Sequence, residues 1–518
     1  MKKLFNDWKR ILFLGLVILA IALFLRLIKL TYLPVFVDEA IYIRWSQIMI
    51  NESTLRFLPL SDGKQPLFMW TDMAFLKLFA DPLFAGRFLS TVTGLGTLVG
   101  ICVSSYYLFK SPKVSLLAGL LYALSPFAVF FDRLALVDSM LSMFGVWTFF
   151  FGMVMAKTKR LDVAMVVGFS LGGAVLTKSP GIFFALLLPT TWLISDMPKV
   201  RNKKVIHFTK LFLLLLISYA IAFGMYNVLR LGPNFHLLGQ RNYDYVYPYT
   251  RIFTSPLDPL KGHLGGIRTY ALELLPVSAF VLFVLGIVLG LRRIYMRRTL
   301  LLLAWAVLPI LVMAEFSKVV TARYVLFVLP YVFILASGVP LTAKKNLKNI
   351  AIAVIGVFVI QSLYINYQLL TKVEAATLPQ GERSGYVEEW TAGWGIKEVA
   401  EFIKQENQKD PKTKIVVGTE GYFGTLPNGL EMYLEGVDNV VIIGVGLGIS
   451  DIPKSLRESK DAGNKTYLLV NTSRFTGNAD KLGLKEVASY PHPARTPGTL
   501  EYRSKGPQEI MHLFELTW

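Results

Sequence analysis

Long apolar segments alternate with short polar ones over the first 370 residues. A helix needs roughly 20 apolar residues to cross the hydrocarbon core of a bilayer, so a window of about 19 residues marks candidate spans. The pattern predicts eleven transmembrane helices. They lie at 11–30, 84–108, 114–131, 136–156, 161–177, 180–195, 208–229, 272–291, 299–314, 322–340 and 349–369.

The pattern changes after residue 370 to one typical of a small α/β domain. Apolar runs predict strands at 412–418, 439–445 and 466–471, and the spacing predicts helices at 395–408 and 429–434. We therefore predict a transmembrane domain over 1–370 and a second domain over 371–518. The first long loop, 31–83, has room for an interfacial helix at 39–51 and an interfacial or re-entrant helix at 67–79.

The composition agrees with a polytopic helical membrane protein. Of the 518 residues, 54% are hydrophobic and only 17% are charged, and the mean hydropathy is +0.50. Soluble domains carry roughly 25% charged residues. The fold class that we predict is a polytopic α-helical membrane protein with about eleven transmembrane helices and a small C-terminal α/β domain.

The distribution of charged residues predicts the side of the membrane on which each loop lies. Every second loop is basic, as the positive-inside rule expects of cytoplasmic loops. The basic clusters include Lys110 and Lys113, Lys157 to Arg160, Lys199 to Lys204, Arg292 to Arg298, and Lys344 to Lys348. With the N-terminus inside, an odd number of spans places 371–518 on the extracytoplasmic face of the cell membrane.

The net charge of +19 lies largely in these loops, so it does not predict nucleic-acid binding. No basic run is interleaved with aromatic residues, as a single-strand binding surface would require. The only cysteine, Cys102, lies in a predicted span, and the histidines show no metal-ligand spacing. We therefore expect no disulfide within the chain, no metal site and no cofactor.

Asp38 and Glu39 follow the first span and lie in an outer loop. A carboxylate at this surface can accept a proton from an attacking hydroxyl group. Asp38 would then be the general base, with Glu39 as a substitute base or a ligand-orienting group. The alternative is structural, because acidic residues also stabilise the N-terminus of a helix.

Several basic residues share the same side of the membrane. Lys64 lies between Gly63 and a proline-stiffened segment, where it can bind a phosphate or be a solvated loop lysine. The turn from Phe131 to Asp138 carries Arg133, which either pairs with Asp132 or Asp138 or binds a phosphate. Asp138 in turn can orient a helix end or a basic side chain.

Three further basic residues lie at the outer ends of spans. Lys178 interrupts the positive-inside pattern, and Arg323 begins the tenth span. Arg87 lies near the outer end of the second span. Each can be a snorkelling anchor or a phosphate ligand. Their shared side favours a site for an anionic leaving group, because stabilising developing charge often contributes more to catalysis than any other effect.

These residues resemble a known family. Asp38-Glu39, Gly63 to Leu67, Arg87, the turn from Arg133 to Asp138, Thr177-Lys178 and Arg323-Tyr324 occur in the order typical of GT-C membrane glycosyltransferases. The resemblance is to the protein O-mannosyltransferases and the lipid A aminoarabinose transferase. It implies a polyprenyl-phosphate sugar donor, transfer on the non-cytoplasmic face and inversion at the anomeric carbon.

The resemblance also implies roles for particular residues. Asp38 matches the essential acid of the first loop, Lys64 and Lys178 match basic residues that hold the lipid phosphate, and Asp138 matches an acid of the third-to-fourth span turn. Two positions depart from the family pattern. Gln65 stands where many members have a second proline, and Ser179 stands where glycine is common.

The expected partners are the sugar donor, membrane lipids, and an acceptor that is a protein, a lipid or a glycan. The main rival hypothesis is a flippase for lipid-linked sugars. Transporters place such charges near mid-membrane and are often built from repeats. In this sequence the charges lie at the outer ends of spans and no repeat is visible, so the transferase is favoured.

Overall fold

Two compact units make up the protein, and each combines segments that are distant in sequence. The computed structural model describes residues 2–292, 294–343 and 345–518. The helical unit comprises the residues up to Ile28, Thr54–Thr71 and Arg87–Lys372. The sheet unit comprises Lys29–Ser53, Asp72–Gly86 and Val373–Trp518.

The N-terminal two thirds of the chain is mainly helical, and its helices range from long apolar ones to single turns. Their bounds are α1 Lys2–Leu27, α2 Val37–Asn51, α3 Leu67–Phe75, α4 Pro82–Phe109, α5 Pro112–Leu124, α6 Pro126–Phe131, α7 Val137–Thr158, α8 Leu161–Thr177, α9 Ile182–Leu187, α10 Arg201–Asn227, α11 Phe235–Tyr245, α12 Arg251–Thr254, α13 Leu260–Leu274, α14 Val277–Gly290, α15 Met296–Phe316, α16 Leu329–Ser337, α17 Val339–Thr342 and α18 Lys345–Thr371. The predicted helices at 39–51 and 67–79 are present as α2 and α3.

Each of the eleven predicted spans coincides with helical structure, but several are shorter or broken. Among the described residues, seven helices are long and apolar enough to cross a membrane, and an eighth results if α13 and α14 form one bent span. α5 ends before Pro126, and α13 and α14 meet at Pro276 with a bend of 115°. Proline removes a helical hydrogen bond, which accounts for both breaks. Arg293 and Lys344, predicted to lie in cytoplasmic loops, fall outside the described residues.

A buried ion pair and its hydrogen bonds connect α1, α5, α6 and α7 of the helical unit. Arg26 of α1 and Asp132, just after α6, are both fully buried, and Arg26 Nη2 lies 2.9 Å from Asp132 Oδ2. Tyr122 donates to the same carboxylate at 3.0 Å and Ser139 at 2.7 Å. A charge buried away from water requires such partners. Gly94 makes room for the cluster, because a Cβ there would lie 2.5 Å from the Asp132 side chain.

The sheet unit contains the predicted strands and several that were not predicted. Its further helices are α19 Gln380–Arg383, α20 Ile396–Lys409, α21 Asn428–Tyr433, α22 Lys454–Asp461 and α23 Leu500–Lys505. Its strands are β1 Val35–Phe36, β2 Ala392–Gly393, β3 Ile415–Glu420, β4 Val440–Gly446, β5 Lys465–Asn471, β6 Leu484–Pro491 and β7 Ile510–Leu516.

The five longer strands form one mixed sheet in the order β4-β3-β5-β7-β6. β3 pairs in parallel with both β4 and β5, whereas β7 runs antiparallel to β5 and to β6. Helices α21 and α22 provide the crossovers that parallel strands require. β3 is buried along its whole length, and the apolar run at 415–417 with which it begins made it recognisable.

The substitution Asp132→Asn tests the buried pair. It leaves Arg26 buried without a counter-charge, and we expect a loss of about 3–5 kcal/mol in the free energy of unfolding. The measurement is denaturation of the purified protein in detergent micelles. Asp162→Asn is the matched control, because Asp162 forms an Arg–Asp pair with Arg160 in which both side chains are more than 60% exposed. Equal stability losses in the two variants would contradict the structural role of Asp132.

Candidate active site

The position of Asp38 is set by a short strand pair in the sheet unit. β1 pairs antiparallel with β2, with Val35 opposite Gly393 and Phe36 opposite Ala392. The Val37 amide continues the pairing and donates to the Thr391 carbonyl at 3.1 Å. α2 begins directly after β1, so the partly exposed Asp38 lies in its first turn. A helix N-terminus favours a negative charge at this place.

Glu39 has a structural contact in the same turn. Its carboxylate accepts a hydrogen bond from the Phe36 amide at 2.9 Å, and the side chain is fully buried. This is the helix-capping contact that the sequence left open as the alternative to catalysis. Glu39 therefore holds the backbone turn in which Asp38 lies.

A cluster of charged residues anchors the segment that leads into β2. The buried Arg495 donates through Nε to Glu389 at 2.6 Å, and Lys505 donates to the same carboxylate at 2.9 Å. Thr496 donates to Glu388 at 2.9 Å. Burial acts to raise the pKa of Glu389, but the hydrogen bonds and charges of Arg495 and Lys505 outweigh it and hold the pKa below its ordinary value.

Lys178 and Asp138 meet in the helical unit. Lys178 follows the last residue of α8, and its Nζ lies 2.6 Å from Oδ1 of Asp138, in the first turn of α7. The ammonium group also lies 4.1 Å from the ring centroid of Tyr324, a cation–π distance. Lys178 stays 20% exposed, whereas Asp138 is almost fully buried. Asp138 thus fixes the direction of a cation that a ligand can still reach.

The two positions that depart from the family pattern contact each other. Gln65 Nε2 donates to Ser179 Oγ at 2.8 Å. Since Gln65 follows Lys64 and Ser179 follows Lys178, this contact brings the two lysine-bearing segments side by side. The structure therefore brings together the segments of Lys64, Lys178 and Asp138, which the sequence had associated only through their shared side.

Lys64 belongs to a small charge network at the end of a 3-10 helix. Its Nζ lies 3.3 Å from Asp62 Oδ2, and Asp62 Oδ1 lies 3.6 Å from Nη2 of Arg241. Gly63 has φ +61°, and a Cβ there would lie 2.5 Å from Cβ of Arg241. Glycine is required at this position by both the left-handed backbone and the close approach of α11.

The remaining predicted cations have different surroundings. Arg133 donates through Nη1 to the carbonyls of Leu25 at 2.9 Å and Ile28 at 2.6 Å, which satisfies the C-terminal end of α1. Arg87 is fully buried in α4. Arg323 is partly exposed, with its guanidinium carbon 5.7 Å from the ring centroid of Tyr324.

Three residues that make important contacts in the structure were not among the site residues predicted from the sequence. Tyr324 follows Arg323 in the chain, but nothing local indicates that its ring contacts Lys178. Arg241 lies in α11, within a segment whose clearest feature in the sequence is its aromatic content. Arg26 had a usable signal, because a charge within an apolar stretch requires a partner. Among the described residues, no group of three or more His, Cys, Asp or Glu is arranged to hold a metal ion.

Comparison with known proteins supports the resemblance seen in the sequence. The family model of dolichyl-phosphate-mannose-protein mannosyltransferases matches residues 63–223. That range includes Lys64, Arg87, Arg133, Asp138 and Lys178. The chain resembles the GT-C membrane glycosyltransferases. No curated protein sequence matches the chain.

Solved structures extend the likeness in fold to almost the whole chain. ArnT from Cupriavidus metallidurans in the apo state aligns with a TM-score of 0.57 and 16% identity, over 98% of each chain. The same enzyme bound to undecaprenyl phosphate gives 0.57 and 15%, over 96% of this chain and 97% of that one. Oligosaccharyltransferase AglB from Archaeoglobus fulgidus gives 0.49 and 12%, over 90% and 70%. The ArnT alignments show a common fold.

A double-mutant cycle tests the contact between Gln65 and Ser179. Gln65→Leu and Ser179→Ala should each lower the free energy of unfolding by about 1 kcal/mol, because each removes the same hydrogen bond. The double variant should then lose little more than either single one, since coupled neighbours are not additive. Denaturation in detergent micelles measures all four proteins. Fully additive losses would show that the contact does not form.

Acidification should destabilise the sheet unit through His492. This side chain is 1% exposed, and burial lowers its pKa from 6.5 to about 4. Between these values the unfolded chain binds a proton that the native protein does not, so stability falls as the pH falls from 6.5 towards 4, by about 3 kcal/mol in all.

The measurement is the unfolding temperature of the full chain, followed from about pH 7 to about pH 5, the range in which an ordinary histidine gains its charge. His492→Phe keeps an aromatic ring and removes the titrating group, so its unfolding temperature should fall less on acidification. Parallel curves for the two proteins would rule out this contribution.

Proposed function

We propose that the protein is an inverting glycosyltransferase that moves a sugar from a polyprenyl-phosphate donor to an acceptor hydroxyl on the non-cytoplasmic face of the membrane. The observation that carries the proposal is the Lys178–Asp138 pair beside Tyr324, within a chain whose residues 63–223 match the dolichyl-phosphate-mannose-protein mannosyltransferases. The sugar and the acceptor class, which is a protein, a lipid or a glycan, are left open.

Asp38 is the general base. Its place in the first turn of α2 favours the ionised carboxylate, which is the form that accepts a proton. As the acceptor oxygen attacks the anomeric carbon, its proton passes to Asp38. Glu39 supports the reaction by holding the turn, in keeping with its buried contact to the Phe36 amide.

Lys178 and Lys64 stabilise the leaving group. The bond between the anomeric carbon and the phosphate oxygen breaks, and its electron pair stays on the polyprenyl phosphate, which gains one negative charge. A cation directed at the position where this charge develops lowers the barrier. Asp138 and the ring of Tyr324 direct Lys178, so the ammonium group need not reorganise during the reaction.

Inversion follows from attack on the side opposite the departing phosphate. A single displacement requires one base and a stabilised leaving group, and the proposed roles supply both. Arg323 lies beside Tyr324 and would add positive charge near Lys178. Arg133 and Arg87 have supporting roles, since Arg133 already binds the carbonyls at the end of α1 and Arg87 is fully buried in α4.

The likeness to ArnT supports the donor class. One of the two ArnT structures is bound to undecaprenyl phosphate, which is a polyprenyl phosphate. The alignment extends over nearly all of both chains, so the likeness in fold includes both the helical unit and the sheet unit.

The test is sugar transfer from polyprenyl-phosphate donors by the purified protein in liposomes, with peptides, lipids and glycans offered as acceptors. Asp38→Asn keeps the size of the side chain and removes the base, so turnover should fall by about a hundredfold or more. Lys178→Ala should cost about a hundredfold or more through the loss of charge stabilisation.

Asp438→Asn is the matched control, because Asp438 is an exposed aspartate of the sheet unit outside α2. Its turnover should equal that of the wild type. Thermal unfolding confirms that each variant folds. Normal turnover in Asp38→Asn would remove the proposed base. Movement of the intact lipid-linked sugar across the bilayer without transfer would favour a flippase.

A further inference from the structure

A cavity of about 560 Å³ lies within the sheet unit, between the end of α2 and α20. Its walls come from α2, the loop that follows α3, α20 and the end of α21. Small-molecule sites in proteins have volumes of roughly 300–1,000 Å³. The cavity is therefore large enough for a ligand, and the proposed mechanism does not use it.

Two helix faces form the main walls. α20 contributes Lys397, Ala400, Glu401 and Lys404, which have the spacing of neighbours on one helix face. α2 contributes Gln47, Ile50 and Asn51, which have the same spacing near its last turn. Ala400 provides little side chain in the middle of the α20 face, which leaves the space open.

Ion pairs already neutralise part of the lining. Lys397 Nζ lies 2.8 Å from Asp81 Oδ2, and Glu435 pairs with Arg44 and accepts from Asn51. In the part of the chain that the structure describes, Lys77 and Lys404 form no ion pair. Lys404 is half-buried. Its ammonium group is therefore a cation that lies in a partly enclosed space without a carboxylate partner.

We propose that this cavity binds a saccharide. Hydroxyl groups both donate and accept hydrogen bonds, and the walls offer donors on Lys404 and Lys77 together with an acceptor on Glu401. Phe79 and Tyr433 add apolar surface against which a sugar ring can pack. The charged walls do not suit an acyl chain, and Glu401 disfavours a ligand that is only an anion.

The cavity is separate from the proposed base. Gln47 and Asn51 follow Asp38 by nine and thirteen positions on α2, which is about 14 and 20 Å along the axis. At about 100° per residue, nine positions turn Gln47 to the side of the helix opposite Asp38. The proposal goes beyond the catalytic one and does not require it. The occupant is a free oligosaccharide or the glycan part of a larger acceptor or product.

The test is binding of neutral tetrasaccharides to the full chain in detergent, measured by saturation-transfer NMR and calorimetry. Maltotetraose, cellotetraose, mannotetraose and chitotetraose are the probes. We expect saturable binding of at least one. Ala80→Trp fills the cavity from an exposed lining position and should weaken that binding by about tenfold or more. Lys404→Ala should weaken it in the same direction.

Ala74→Trp is the matched control, because Ala74 is an exposed alanine of α3 that does not line the cavity. This variant and Asp38→Asn should bind like the wild type, which separates the outcome from that of the catalytic proposal. Absence of binding by every probe, or equal binding in Ala80→Trp, would overturn the proposal. Binding confined to a tetragalacturonate and lost in about 0.5 M salt would also overturn it, since screening identifies a simple anion surface.

Discussion

The pairing of β1 with β2 is the constraint on which the proposed chemistry depends. Two residues on each strand fix the backbone just before Asp38. β2 is itself held through Glu388 and Glu389, which Thr496 and Arg495 bind from the end of the chain. The geometry of a carboxylate in the first loop therefore depends on residues near the C-terminus, and the C-terminal segment helps to position the proposed base.

Two buried carboxylates of the helical unit show that similar ion pairs can have different roles. Asp132 receives Arg26, Tyr122 and Ser139, and neither it nor Arg26 is exposed. That cluster is fully enclosed and no ligand can reach it, so its role is to stabilise the helical unit. Asp138 binds Lys178, which keeps one fifth of its side chain exposed and also contacts the ring of Tyr324. Exposure, rather than residue type, distinguishes this second pair as the one that a ligand can reach.

The sequence predicted those elements whose own residues define them. The apolar segments, α2 and β3 to β5 all contain apolar runs that a local pattern recognises, although β4, at the edge of the sheet, is only partly buried. It did not predict β6, an outer strand with exposed residues such as Lys485 and Glu486, and it did not predict β7 beside it. Nor could it find β1 and β2, because two-residue strands have no periodicity and their pairing depends on folding of the whole unit.

The same distinction applies to the candidate site. The sequence grouped the cations by the side of the membrane on which it predicted them. Only the contacts in the folded protein distinguish Arg133, which binds the end of α1, from Lys178, which faces Asp138 and Tyr324. Such partners lie far apart in sequence and leave no local signal. The folded structure decides whether a charged side chain already has its hydrogen-bond partners. A sequence therefore contains more charged residues than can act on a ligand.

Helix α2 connects the proposed base to the rest of the sheet unit along its whole length. Its start is fixed by β1, and further along Arg44 pairs with Glu431 and Gln47 donates to the Met432 carbonyl at 2.9 Å. A helix fixed at several points moves with its neighbours as one body. A ligand at the far end of α2 would therefore affect Asp38 only through motion of the whole sheet unit, so the cavity and the base can be separated by mutation.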